Sequence, residues 1–212
     1  MSEQIIELAI RGPRPGKQQS FDDRKRAVVD ALLAVPGVGP ERAFVAFGTV
    51  PEIAAPQHVG MTRYADKAAQ KRATRNLKVL RRLVGFMRVM RPNVGVFLKP
   101  DDPNFDLATF ASDPGCVVEF AALVPADGVA QETFMARRDA FLEALDEHPA
   151  VLRSHTFATA GGLKAKDSLV HVTVYRDRPS LDALAAELAD APAFTEFREV
   201  FGTNLITFAA AA

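Results

Sequence analysis

The chain has 212 residues, 48% hydrophobic and 25% charged, with zero formal net charge, which excludes a disordered polyelectrolyte and leaves room for a sizeable core. No apolar run reaches the roughly 18–20 residues that span a bilayer, and Cys116 is the single cysteine, so an intrachain disulfide is excluded. The zero balance conceals a polarity: residues 1–100 carry 18 basic and 8 acidic residues, +10, and residues 101–212 carry the remaining 8 and 18, −10. In chain order, 5–11 is a β-rich run, followed by a helix over 22–35 that carries Val28, Leu32 and Val35 at helical spacing. Ser20 and Asp23 read as its capping box, and Gly37-Val38-Gly39 as the turn behind it. Short strands at 42–50 and 59–65, a helix over 66–84 and a strand at 93–99 complete the first half. Pro100 to Asp106 reads as a linker. The second half repeats the order: strand 116–124, helix 133–147, strands 153–159 and 170–176, helix 180–189 with a turn around Phe194, Phe197 and Phe201, and strand 204–210. Gly161-Gly162 marks a turn after the second strand of this half.

The strongest signal is the internal repeat. Val59–Asp66 (VGMTRYAD) aligns with Val170–Asp177 (VHVTVYRD) at an offset of 111. At that offset Leu77 meets Leu188, Phe86 meets Phe197, Val89 meets Val200 and Phe97 meets Phe208; upstream, Arg42 meets Arg153. At 112, Ile5–Ala9 meets Val117–Ala121; at 113, Ala31-Leu32 meets Ala144-Leu145. Matches in order along both halves set the fold: two βαββαβ units, residues 1–100 and 101–212.

A βαββαβ unit is ferredoxin-like, with one sheet face covered by helices and the other bare. The strands here are apolar at most positions, so both faces are expected to be buried. The predicted architecture is α+β, two tandem ferredoxin-like units packed sheet to sheet within one chain. This element order resembles the dimeric α+β barrel superfamily, which includes antibiotic-biosynthesis-type monooxygenases, EthD-like proteins and stress-responsive barrel proteins. The resemblance implies a pocket for a small apolar or aromatic molecule, and cofactor-independent monooxygenase or isomerase chemistry. The superfamily's haem-degrading members are known for a pocket Trp; this chain has no Trp, which argues against carrying that activity over.

The repeated polar residues are the candidates for chemistry. Thr62 and Tyr64 share one strand face, as do His171, Thr173 and Tyr175. Glu7 and Glu119 sit mid-strand among apolar neighbours, and the first and third strands of such a unit are adjacent. Glu7 is therefore expected near Thr62 or Tyr64, and Glu119 near His171, Thr173 or Tyr175. A carboxylate in apolar surroundings can act as a base, and a tyrosine can orient a phenolic or enolic substrate. The bland alternative is that these groups satisfy one another and fix the register. Glu119, His155, His171 and Tyr175 are the candidate catalytic residues, with Glu7, Thr62, Tyr64 and Thr173 for substrate binding. His155 and His171 align at 111 with Phe44 and Gly60, so the halves have diverged there; a single pocket in the second half is one reading, and the sequence does not fix which half holds it.

No HxH or HxxxH spacing occurs, so no metal is expected, and no cofactor is assigned. Cys116 reads as a small buried hydrophobe. GPRPG (12–16) fits neither G-x-G-x-x-G nor a P-loop. From Arg63 to Lys99 there are 11 basic residues and one acid, Asp66; Lys67, Lys71, Arg75, Lys78 and Arg82 recur on one helical face. That face suits nucleic acid or an anionic ligand, or it meets acidic residues of the other half or a second chain. Aromatics are not interleaved, which disfavours nucleic acid. A non-catalytic ligand-binding barrel and an interaction module built on helix 66–84 are the alternatives to an enzyme. Met1–Glu7 lacks the layout of a signal peptide, so a cytoplasmic monomer or homodimer is expected.

Overall fold

A computed structural model describes residues 4–54, 56–164 and 168–212. The elements run β1 (Ile5–Pro13), α1 (Gln18–Leu33), β2 (Val38–Val50), β3 (His58–Tyr64), α2 (Lys67–Arg75), α3 (Leu77–Met87) and β4 (Met90–Pro100). They then repeat as β5 (Val117–Pro125), α4 (Gln131–Asp146), β6 (Val151–Lys164), β7 (Leu169–Tyr175), α5 (Arg178–Leu188), α6 (Pro192–Val200) and β8 (Phe201–Ala211). The eight strands close into one antiparallel barrel in the order β1-β3-β2-β8-β5-β7-β6-β4. Each unit alone would leave two open edges. Here β2 pairs with β8 and β4 with β6, so every edge of one half is completed by the other.

Strand alternation sorts the side chains. On β1, Ile6, Leu8 and Ile10 enter the barrel core with Val118, Phe120 and Ala122 of β5. On the opposite face the cross-strand pairs Ile5 and Tyr64 in one half and Val117 and Tyr175 in the other pack outward against the helices. Both sheet faces are thus buried, which explains the near-continuous apolar strands.

Local chemistry sets the helix boundaries. Asp66 and Asp177, equivalent in the repeat, cap α2 and α5 by accepting from Ala69 N (2.6 Å) and Ser180 N (2.8 Å). The helix expected over 66–84 is broken at Asn76. That residue leaves helical geometry (φ −69°, ψ 119°), and its Oδ1 accepts from Lys78 N and Val79 N to start α3. Lys67, Lys71, Arg75, Lys78 and Arg82 therefore lie on two helices. None pairs with an acid among the described residues, so they do not join the halves electrostatically. The Ser20–Asp23 capping box is not formed: α1 begins earlier, at Gln18, without a side-chain cap. Gly161-Gly162 does not end β6 either. The strand runs through both at positive φ, and Gly162 lies so close to β4 that a Cβ would sit 2.4 Å from Gly95 O.

The connection between the halves is longer than 100–106 and reaches residue 116. It plugs one end of the barrel, placing Phe105, Leu107, Phe110 and Ala111 in the core. Arg42 donates to the carbonyls of Phe110 and Ala111 (both 2.9 Å), and Arg153 pairs with Asp113 (2.5 Å). Phe110 meets the rings of Phe44, Phe105 and His155. Truncating this plug, Phe110→Ala, is expected to cost about 3–4 kcal/mol in urea unfolding, as for a core aromatic; a loss below about 1 kcal/mol would mean the plug is not part of the cooperative core.

Candidate active site

Glu7 lies opposite Thr62 in the β1–β3 register, and the Tyr64 hydroxyl donates to Glu7 Oε2 at 2.6 Å. Glu119 lies opposite Thr173, and the Tyr175 hydroxyl donates to Glu119 Oε2 at 2.5 Å. Both pairs lie on the helix-covered face of their sheet. Burial, then the neighbouring carboxylate, raises the pKa of each tyrosine, so both hydroxyls stay protonated donors. Burial also pushes the Glu119 carboxyl up, opposed by the hydrogen bond from Tyr175.

The surroundings of the two pairs differ. Beside Glu7–Tyr64 a cavity of about 300 Å³ opens between the sheet and helices α1 and α3, lined largely by apolar residues such as Val28, Leu83, Phe86 and Met90. Its floor is made of small residues on three adjacent strands: Ala9 pairs with Gly60 on one side and Gly95 on the other. In the second half Ala121 pairs with His171 and Ile206. The walls change in the same direction. Where the first half has Val28, Leu83 and Met90, the repeat places Phe141, Phe194 and Phe201. Phe141 stacks on Phe197 at 5.2 Å, and Phe197 on Phe201 at 4.9 Å, filling the equivalent volume.

The open cavity therefore lies in the first half, which the sequence left undecided. The glycine at position 60 opens space, and the histidine at 171 occupies it. His171 is 6% exposed; its Nδ1 lies 3.2 Å from Thr156 Oγ1, and its Nε2 is buried without a partner among the described residues. Burial first, then the charges of Arg138 and His155, lowers its pKa to about 3, so it is neutral at physiological pH. His155 is not brought to Glu119 and Tyr175. Its ring lies edge-on to Phe105 at 4.9 Å and against Phe110, where the linker enters the barrel. The register also makes His155, opposite Val172, the counterpart of Arg42, opposite Met61, rather than of Phe44. Thr173 is fully buried, with its hydroxyl unpartnered among the described residues; Thr62 lines the first-half cavity.

The cavity holds one group the sequence did not suggest. Arg11 donates to Glu41 at 2.6 Å, and Lys25 Nζ lies 3.6 Å from the other Glu41 oxygen. The Glu41 carboxylate crosses directly over Gly60, where a Cβ would meet Oε1 at 2.2 Å. Spacing alone gave no signal here, because the three residues come from β1, α1 and β2.

Comparison of the sequence with protein-family models and with curated proteins returns no match. Solved structures do match over nearly the whole chain. A candidate chlorite dismutase, TA0507, aligns with a TM-score of 0.64 at 13% identity, covering 99% of this chain and 96% of the other. A candidate monooxygenase from Fusobacterium nucleatum aligns at 0.60 and 11%, covering 99% and 93%. The chain has the dimeric α+β barrel fold. An anthrone oxidase-like protein shares it, at 0.60 and 11%, covering 100% of this chain and 92% of that one. In this fold the present barrel is completed within one chain. No described helix is long and apolar enough to cross a membrane, and no three potential ligands among the described His, Cys, Asp and Glu cluster for a metal ion.

His171 makes the packed half sensitive to acid. Its folded pKa is below the unfolded value of 6.5, so only the unfolded chain takes up a proton as pH falls from 6.5 towards 3. Stability is full above 6.5 and declines below it, by up to ~1.4 kcal/mol per pH unit from this residue. Burial lowers His58 and His155 too, adding in the same direction. Urea unfolding between about pH 5 and 7 should show a shallower loss in His171→Leu than in the wild type; identical slopes would mean that His171 is solvated.

Proposed function

We propose that the protein is a cofactor-independent monooxygenase of an aromatic, enolisable compound, with the first-half cavity as its active site. The observation that carries this reading is an apolar cavity over a small-residue floor, with a carboxylate and a protonated tyrosine on its wall. An apolar pocket with few convergent polar groups is the usual form of a small-molecule site. The fold shared with an anthrone oxidase-like protein agrees with this assignment.

The chemistry is as follows. Glu7 removes a proton from an activated ring C–H₂, and the electrons pass through the conjugated ring system to the carbonyl oxygen. Once Glu7 carries the proton it is a weaker acceptor than the enolate oxygen, to which the Tyr64 hydroxyl then donates. The electron-rich carbon reacts with dioxygen; the C–H₂ becomes a C=O, one oxygen atom enters the product and the other leaves as water. The protein contributes the base, the donor and an apolar enclosure. Thr62, on the same face as Tyr64, orients the substrate. The Glu119–Tyr175 pair, with His171 and Thr173, holds the same strand register in the filled half.

Anthrone is a suitable probe, and oxygen uptake with anthraquinone formation the measurement. Turnover without added metal or flavin is expected; Tyr64→Phe should lower kcat roughly 10²-fold, and Glu7→Gln should lower it further. Gly95→Ile brings in the residue of the second half, Ile206, at a position where a Cβ meets nothing within 4 Å. It should fill the cavity, abolish probe binding and leave the fold intact. Unchanged turnover in both Glu7→Gln and Gly95→Ile would rule out this cavity as the site.

A further inference from the structure

The far end of the cavity from Glu7 carries the Arg11–Glu41–Lys25 cluster. Arg11 lies four residues from Glu7 on the same face of β1, about 13 Å away at ~3.3 Å per residue. Its side chain is 13% exposed, that of Lys25 17%, and both cations bear on one acid, Glu41, itself 10% exposed. A further acid, Asp22, accepts from Gln18 one turn earlier on α1 and acts on His58 through space, without pairing with either cation among the described residues. His58, opposite Arg11 in the ladder, is kept neutral by burial and by Lys25, so it adds no charge. The Arg11 guanidinium lies 5.4 Å from the centroid of Phe86, a cavity wall, and its Nε is buried without a partner among the described residues.

A guanidinium pre-held by one carboxylate, stacked on an aromatic wall and keeping a free N–H, is suited to a second carboxylate. The filled half supports the link to a ligand. The register places Leu123 where Arg11 stands, Ser154 where Glu41 stands and Leu169 where His58 stands. The Arg11–Glu41 pair is present where the cavity is present and replaced where the cavity is filled, while the Lys25 position keeps a cation, Arg138. We propose that Arg11, assisted by Lys25, anchors an acidic substituent of the ligand, making the substrate class an aromatic carboxylic acid. This rests on the first-half cavity being the active site. The ligand's ring lies over Ala9 and Gly95, beside the Glu41 carboxylate that covers Gly60, with its reactive carbon towards Glu7 and its carboxylate towards Arg11.

The test is calorimetric titration of the full chain with naphthalene-2-carboxylate and with its neutral isostere naphthalene-2-carboxamide. The wild type should bind the carboxylate at least about tenfold more tightly. Arg11→Leu should abolish that preference and keep carboxamide binding. Glu41→Gln removes the competing internal carboxylate without touching either cation, and should strengthen carboxylate binding several-fold while leaving the carboxamide unchanged. It also preserves the test should Arg11→Leu fold poorly. Equal affinities in the wild type, or a carboxylate affinity unmoved by Glu41→Gln, overturn the anchor and leave the cavity standing as a site for neutral aromatics. Binding of neither probe overturns the anchor and the active-site reading together.

Discussion

The fold depends on a constraint of the ferredoxin-like unit: four strands with helices on one face leave the other face bare and two strand edges unpaired. Both needs are met here by a single partner surface. The β2–β8 and β4–β6 ladders close the edges, and the same closure traps Ile6, Leu8 and Ile10 against Val118, Phe120 and Ala122. A barrel removes edges altogether, which a sandwich of two open sheets does not. The barrel interior is a packed core that includes Phe105 and Phe110 of the connection between the halves. The space for a ligand lies outside the barrel wall, under the helices.

That space is governed by a few side-chain volumes. Gly60 and Gly95 flank Ala9 and lower the sheet surface on three neighbouring strands, while His171 and Ile206 flank Ala121 and raise it. The helices follow, with Val28 and Leu83 in one half and Phe141 and Phe194 in the other. The Glu–Tyr pair is common to both halves and has the same geometry in each. It is therefore not what distinguishes them; the room beside it is.

Much of this was legible in the sequence, because a repeat constrains everything at once. Element order, the adjacency of β1 and β3 and hence the meeting of Glu7 with Tyr64 all follow from the VGMTRYAD–VHVTVYRD alignment. The break at Asn76 was missed because basic and apolar periodicity runs on across it, although asparagine is a common cap. The half that holds the cavity was left undecided for a different reason. A histidine against a glycine looks like chemistry gained, when a missing side chain on a sheet surface is what makes space. Pairing His155 with Phe44 went wrong because the offset of 113 seen at Ala31-Leu32 persists through β2 and β6, where Arg42 matches His155, and falls to 111 only at β3 and β7. The Arg11–Glu41–Lys25 cluster joins three elements and had no linear signature.

The covalent joining of the halves has an evolutionary consequence. When two identical subunits build such a barrel, each mutation is installed twice, so one pocket cannot be filled without filling the other. Tandem fusion lifts that symmetry. An open cavity forfeits packing contacts and lowers stability, and in a symmetric assembly that loss is doubled. In this chain the loss is confined to one half, while the stacked phenylalanines of the other act as ballast. The free half can then follow selection for a ligand, including a buried charge cluster, with the scaffold's stability held by its twin.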